Sequence, residues 1–213
     1  MNFEHLVETV GNEPIFETGL LLAGVAGPND VRRQLSRWVQ TGKLYQLRRG
    51  LYSLAPPYQK IKPHPFVIAN HMSRGSYVSC QSALAYYGVI PDVTPVTISV
   101  TTRRPNRWET SLGIFESRHI KPALLYGYRL TELGGGQKAF LGTPEKALLD
   151  LIHLHPGADA PEYLRELRLQ NLERLDMNEL ERLAVQSGFP KWERAAQRIA
   201  VLARAEAREY ETL

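Results

Sequence analysis

The stretch from Pro28 to Leu54, PNDVRRQLSRWVQTGKLYQLRRGLYSL, decides how this chain folds at its N-terminal end. Pro28 suits the first turn of a helix, where its missing N–H would be unpaired anyway, and Gly42 supplies a C-terminal stop. At 100° per residue, Val31, Leu35, Trp38 and Val39 share one arc and predict a core face. The opposite arc collects Asn29, Arg33, Ser36, Arg37 and Gln40, and Arg32 and Lys43 add charge to the same stretch. These side chains suit base edges: Arg can bond guanine in bidentate fashion, and Asn or Gln can do the same to adenine. A merely solvated helix mixes Glu with Lys as i,i+4 pairs, yet no acid occurs between Val31 and Arg49. Lys43–Leu47 and Leu51–Leu54 then read as two strands joined at Arg48-Arg49-Gly50. Leu44, Leu47, Leu51 and Leu54 would anchor this hairpin, leaving Arg48 and Arg49 at its tip to reach a phosphate or a narrow minor groove.

Working back toward the N-terminus, the pattern predicts a helix over 2–10, an extended segment at Glu13–Phe16 and a helix over 18–24 with Thr18 as N-cap. A turn is expected at Gly24–Gly27. Helix, strand, helix, helix, hairpin is the order of a winged helix-turn-helix, here assigned to residues 1–60 as a DNA-binding domain. The charge layout agrees. Residues 1–27 carry Glu4, Glu8, Glu13 and Glu17 with no base, whereas residues 28–62 carry eight bases against Asp30 alone, a net +7. The rest of the chain is nearly neutral, so the overall +4 conceals one concentrated cationic block. Such a block points to a polyanionic partner.

Beyond the Pro-containing linker at residues 56–65 the texture changes. Helices are expected at His64–Ser73 and Ser79–Tyr87, and strands at Pro95–Thr102, 112–119, 127–133 and 138–142, with Gly134–Gly136 as a loose turn. Thr143 caps a helix opened by Pro144, whose Ala147, Leu148, Leu149, Leu151, Ile152 and Leu154 are apolar nearly all round and predict burial. Helices over about 161–170, 176–187 and 190–209 complete the chain. The fold class is therefore α+β: a winged helix-turn-helix followed by a mixed α+β domain, residues 61–213, with a helical tail.

Composition narrows the chemistry. The chain has 213 residues, 43% hydrophobic and 23% charged, which excludes a disordered or low-complexity polymer. No apolar run approaches a membrane span, and Met1–Gly11 lacks the basic and apolar regions of a signal peptide, so no membrane association and a cytoplasmic location are expected. The single cysteine, Cys80, excludes an internal disulfide and a Cys-cluster zinc site. His153 and His155, spaced i,i+2 on a helix, point to different faces and make a poor metal pair. Glu116-Ser117-Arg118 lacks the lysine of a nuclease acidic site, and Gly134–Gly136 lies outside any strand–loop–helix phosphate motif. Lys146 and Asp150 are spaced to pair along one helix. No catalytic residue, cofactor or metal is expected.

Four segments in order resemble AbiEi-type antitoxins: Val31–Tyr52, Tyr77–Pro91, Thr101–Pro105, and Thr143–Asp150 with its TPEKALLD. The resemblance covers about residues 30–150. It implies the antitoxin of a bacterial type IV toxin–antitoxin pair from an abortive-infection, phage-defence system. The N-terminal domain would repress its own operon by binding inverted repeats in duplex DNA. The second domain would neutralise a nucleotidyltransferase-like toxin, often without a stable complex. On that reading the DNA-binding residues are Asn29, Arg32, Arg33, Ser36, Arg37, Gln40, Lys43, Arg48 and Arg49. Arg103, Arg104 and Arg107 form a candidate antitoxin or secondary basic surface. Two alternatives stand beside it: a stand-alone winged-helix regulator whose second domain senses a ligand or oligomerises, and a nucleic-acid enzyme with a winged-helix targeting module.

Overall fold

The computed structural model describes residues 1–22, 28–91 and 94–211, with side chains to residue 206. The turn expected at Gly24–Gly27 and the end of the helix expected over 18–24 lie outside the described residues. The chain opens with α1 (Phe3–Val10), capped by Asn2, whose side chain accepts a hydrogen bond from the His5 N–H. There follow β1 (Phe16–Glu17), α2 (Thr18–Leu22), α3 (Pro28–Gln40), β2 (Leu44–Arg48) and β3 (Leu51–Leu54). Thr18 is the first residue of α2 rather than its cap, and its N–H donates to the Gly50 carbonyl at 2.9 Å. The three strands form an antiparallel sheet in the order β1-β3-β2, with Gly50 at φ +81° in the hairpin turn, a conformation open to glycine at no steric cost.

The second sheet is mixed and six-stranded. Its strands are β4 (Tyr77–Val78), β5 (Val96–Thr101), β6 (Asn106–Thr110), β7 (Gly113–His119), β8 (Tyr128–Glu132) and β9 (Lys138–Gly142), in the order β6-β7-β5-β4-β9-β8. Around it pack α4 (Pro65–Met72), α5 (Cys80–Tyr86), α6 (Pro144–Leu154), α7 (Pro161–Glu166), α8 (Met177–Ser187) and α9 (Pro190–Glu211). The α+β class expected from the sequence is the class observed. Strands β4 and β6 were not among the expected elements. The first is two buried residues long, too short to show alternation, and the second is a polar edge whose outward side chains carry no apolar signal. The helix expected over 161–170 stops at Glu166, followed by Arg168 and Asn171 at positive φ.

Two apolar cores form. The smaller gathers Leu6, Val10, Phe16, Val31, Leu35, Trp38, Leu44 and Leu54. The larger surrounds α6, whose Ala147, Leu148, Leu149, Leu151 and Ile152 are all fully buried. Thr143 caps α6 by accepting from the Lys146 N–H, and the Lys191 ammonium donates to the Ile152 and His155 carbonyls at 2.5 Å each, closing its C-terminal end.

The hairpin serves both cores. Leu44 and Leu54 face the first, but Leu47 and Leu51, with Ile15, belong to the second. Strand β2 accordingly lies beside edge strand β6 and against α4. At about 1.5–3 kcal/mol for each large aliphatic side chain removed from water, these three residues couple the halves strongly. The boundary expected near residue 60 falls in the segment between β3 and α4, and the packing crosses it.

Candidate nucleic-acid interface

Helix α3 buries Val31, Leu35 and Trp38, half-buries Val39, and leaves Asn29, Arg33, Ser36, Arg37 and Gln40 exposed along the expected outer arc, with Arg32 exposed beside them. Three of these are lightly engaged with neighbours. Arg33 lies 3.4 Å from Asp30, and Arg32 donates to the Asn29 side-chain oxygen at 3.3 Å. Both contacts are solvent-exposed, so each contributes at most about 1 kcal/mol and can be exchanged for an anionic ligand. Thr41 and Gly42 end the helix: the Thr41 hydroxyl donates to the Arg37 carbonyl and Gly42 takes φ +70°.

Two of the expected contact residues are partly buried and engaged by partners within the molecule. The Lys43 ammonium sits over the Phe3 ring, 4.5 Å from its centroid, and ties α1 to the base of the hairpin. Arg48 is only partly exposed. It donates to the His71 carbonyl at 3.0 Å and lies 3.8 Å from the Glu17 carboxylate. The hairpin tip therefore leans on α4 instead of projecting into solvent. Arg49 is the exposed guanidinium there.

That leaning creates a second cationic feature. Arg48, Arg49, Met72, Ser73, Arg74, Arg103, Arg104, Asn106 and Trp108 line one open cleft of about 450 Å³. Its five guanidiniums come from the hairpin tip, the end of α4 and the β5–β6 loop, and none of its lining residues is acidic. Arg103 and Arg104 thus join the cleft. Arg107 does not: it projects from the other face of β6 and is paired with Glu109 and Glu116, each at 3.5 Å. Arg74 was missed by sequence reasoning, since a lone base after a helix carries no local signal. Glu17 sits behind the cleft, hydrogen-bonded by Arg74, and the Arg74 and Arg48 cations hold its carboxyl below the usual carboxylate range.

The other sequence candidates are engaged in contacts within the molecule. Lys146 and Asp150 pair at zero exposure, and Asp150 also accepts from the Tyr77 hydroxyl at 2.8 Å and the Ser79 hydroxyl at 2.7 Å. The Lys146 ammonium is enclosed by the rings of Tyr77, Tyr126 and Trp192 at 5.2–5.5 Å. A Cβ added at Gly127 would come 3.0 Å from the Lys146 side chain, so glycine there admits the lysine stem. Burial beside Asp150 pushes the Tyr77 hydroxyl and the Cys80 thiol well above their usual ranges. Glu116 is occupied by Arg118 at 2.7 Å, and His153 stacks edge-on against Phe189 and Trp192. Among the described residues no cluster of His, Cys, Asp and Glu is arranged to hold a metal, and no helix is long and apolar enough to cross a membrane.

No family model and no curated protein matches the chain. Among solved structures, the crystal structure of the RV2827C protein from Mycobacterium tuberculosis is similar, with a TM-score of 0.54 and 18% identity over 92% of this chain and 75% of that one. At that identity the likeness is one of fold.

Proposed function

We propose that this protein is a sequence-specific duplex-DNA-binding repressor built on a winged helix-turn-helix, and that it acts as an AbiEi-type antitoxin controlling its own operon. The observation carrying the DNA reading is the outer face of α3. Six side chains able to contact bases or phosphates lie exposed there, on a helix fixed from behind by Val31, Leu35 and Trp38. The element order helix, strand, helix, helix, hairpin and the β1-β3-β2 sheet support the same reading. In this reading α3 enters the major groove, and Arg49 with the cleft arginines follows the adjoining backbone. The antitoxin role rests on the resemblance of the four sequence segments, with a nucleotidyltransferase-like toxin as partner in the cytoplasm.

Two experiments test the two halves of the proposal. Mobility shift on the DNA upstream of the gene should give a retarded complex that resists a random duplex of equal length. Co-expression with the adjacent reading frame should restore growth that the frame alone arrests. A chain that binds no duplex defeats the first half. A toxic neighbour left unrelieved defeats the second.

A further inference from the structure

We propose that strand β8 is a docking edge for a second copy of this chain, paired antiparallel about a two-fold axis at Leu130. The two ends of the large sheet are treated differently. Edge β6 lies beside β2, whereas β8 pairs with β9 alone among the described residues. An edge strand left uncovered presents its unpaired backbone groups to another strand.

The hydrogen-bond phase of the β8–β9 ladder shows what that edge offers. The Leu133 N–H donates to the Gln137 carbonyl and the Thr143 N–H to the Gly127 carbonyl, both at 2.9 Å. With Leu130 opposite Phe140, the inward-bonded pairs are therefore 129 with 141 and 131 with 139. The backbone N–H and C=O groups of Tyr128, Leu130 and Glu132 all point to the free side. The opposite case is seen at Phe140, whose N–H and C=O face inward and are both bonded by the Asn70 side chain.

Side chains select the occupant. Tyr128, Leu130 and Phe140 share one face and are 40%, 55% and 45% exposed, unusual for a cluster of large apolar groups. A two-fold at Leu130 sets leucine against leucine, with Phe140 flanking on each side. It also sets the Tyr128 hydroxyl, a donor, opposite the Glu132 carboxylate, an acceptor, and Arg129 opposite Thr131. The neighbouring registers are worse. An axis at Arg129 opposes two guanidiniums, and an axis at Thr131 buries Leu130 against a carboxylate. The strand is thus complementary to itself in one register.

The inference is independent of the DNA reading. Sedimentation equilibrium of the full chain should show the mass rising from 24.1 kDa toward twice that value between about 1 and about 300 µM, the range of a small interface. Leu130→Lys puts two ammoniums on the axis and should hold the chain at monomer mass with an unchanged melt. Opposed residues on the axis have Cα atoms about 5.5 Å apart, within disulfide range, whereas the two copies of residue 132 would be roughly 14 Å apart. Oxidised Leu130→Cys should therefore cross-link and Glu132→Cys should not, the native Cys80 being fully buried. A wild-type chain that stays monomeric, a Leu130→Lys chain that dimerises normally, or equal behaviour of the two cysteine variants would each overturn the proposal.

Discussion

Arg74 donates a charged hydrogen bond to Glu17 across 57 positions of sequence, joining the end of α4 to the first strand of the other sheet. The pair lies at the junction of the two halves, with Arg48 3.8 Å from the same carboxylate. Because the folded protein lowers the Glu17 pKa, chiefly through Arg74, the resulting stability is present above the ordinary value near 4.5 and is lost as pH falls through the depressed one. Glu17→Gln should cost about 0.5–1 kcal/mol at pH 7, since the pair is partly exposed, and less near pH 3, below the ordinary carboxylate value. Urea denaturation of both chains at the two pH values checks it. A gap that widens on acidification would refute the sign.

DNA binding should divide the arginines by position. Arg33→Ala and Arg37→Ala on α3 should each cost about 1–3 kcal/mol on the operator and relax discrimination at one base pair. Arg49→Ala and Arg104→Ala, at the hairpin tip and in the cleft, should weaken all duplexes alike and flatten the plot of log K against log salt by about one unit each. Titrations on operator and random DNA at several salt concentrations separate the two classes. Arg48→Ala is the poor probe of the set, because it also strips a hydrogen bond from the His71 carbonyl.

The Lys146–Asp150 pair invites a double-mutant cycle. Either Lys146→Met or Asp150→Leu leaves one charge fully buried without its counterpart and should cost about 3–5 kcal/mol. The double variant should recover a large part of that loss, because neither charge then remains, although the Tyr77 and Ser79 hydroxyls still lose their acceptor. Chemical denaturation of the four chains measures the coupling. Additive losses would mean the two side chains do not act as a pair.

An excised fragment covering residues 1–62 should be markedly less stable than the same region in the full chain. It would expose Ile15, Leu47 and Leu51, which belong to the larger core, at a cost of about 1.5–3 kcal/mol each. Hydrogen exchange of β2 and β3 amides in the fragment and in the whole protein reads the difference directly. Equal protection would show that the hairpin is held by the smaller core alone.

The elements with regular apolar spacing were legible in the sequence. Val31, Leu35 and Trp38 mark the buried side of α3, and Thr143-Pro144 marks the start of α6, at the positions the structure gives them. What could not be read was set by contacts far apart in the chain. Arg74 reaches the cleft only because α4 packs against the hairpin, and Lys43 and Arg48 find internal partners in Phe3, Glu17 and His71. Arg107 looked equivalent to Arg103 and Arg104 until the strand under it placed Glu109 and Glu116 alongside. Charge can be counted along a chain, but whether it is spent internally depends on the fold.

The leucines of the hairpin set a rule for anyone retargeting this molecule to a new DNA sequence. A graft that replaces the whole N-terminal block would import a foreign hairpin with no counterpart for Leu47 and Leu51, and would leave the recipient surface unfilled. Exchange confined to the outward positions of α3, from Asn29 to Gln40, leaves both cores intact. Selection libraries for altered binding should be randomised there, with the hairpin kept as inherited.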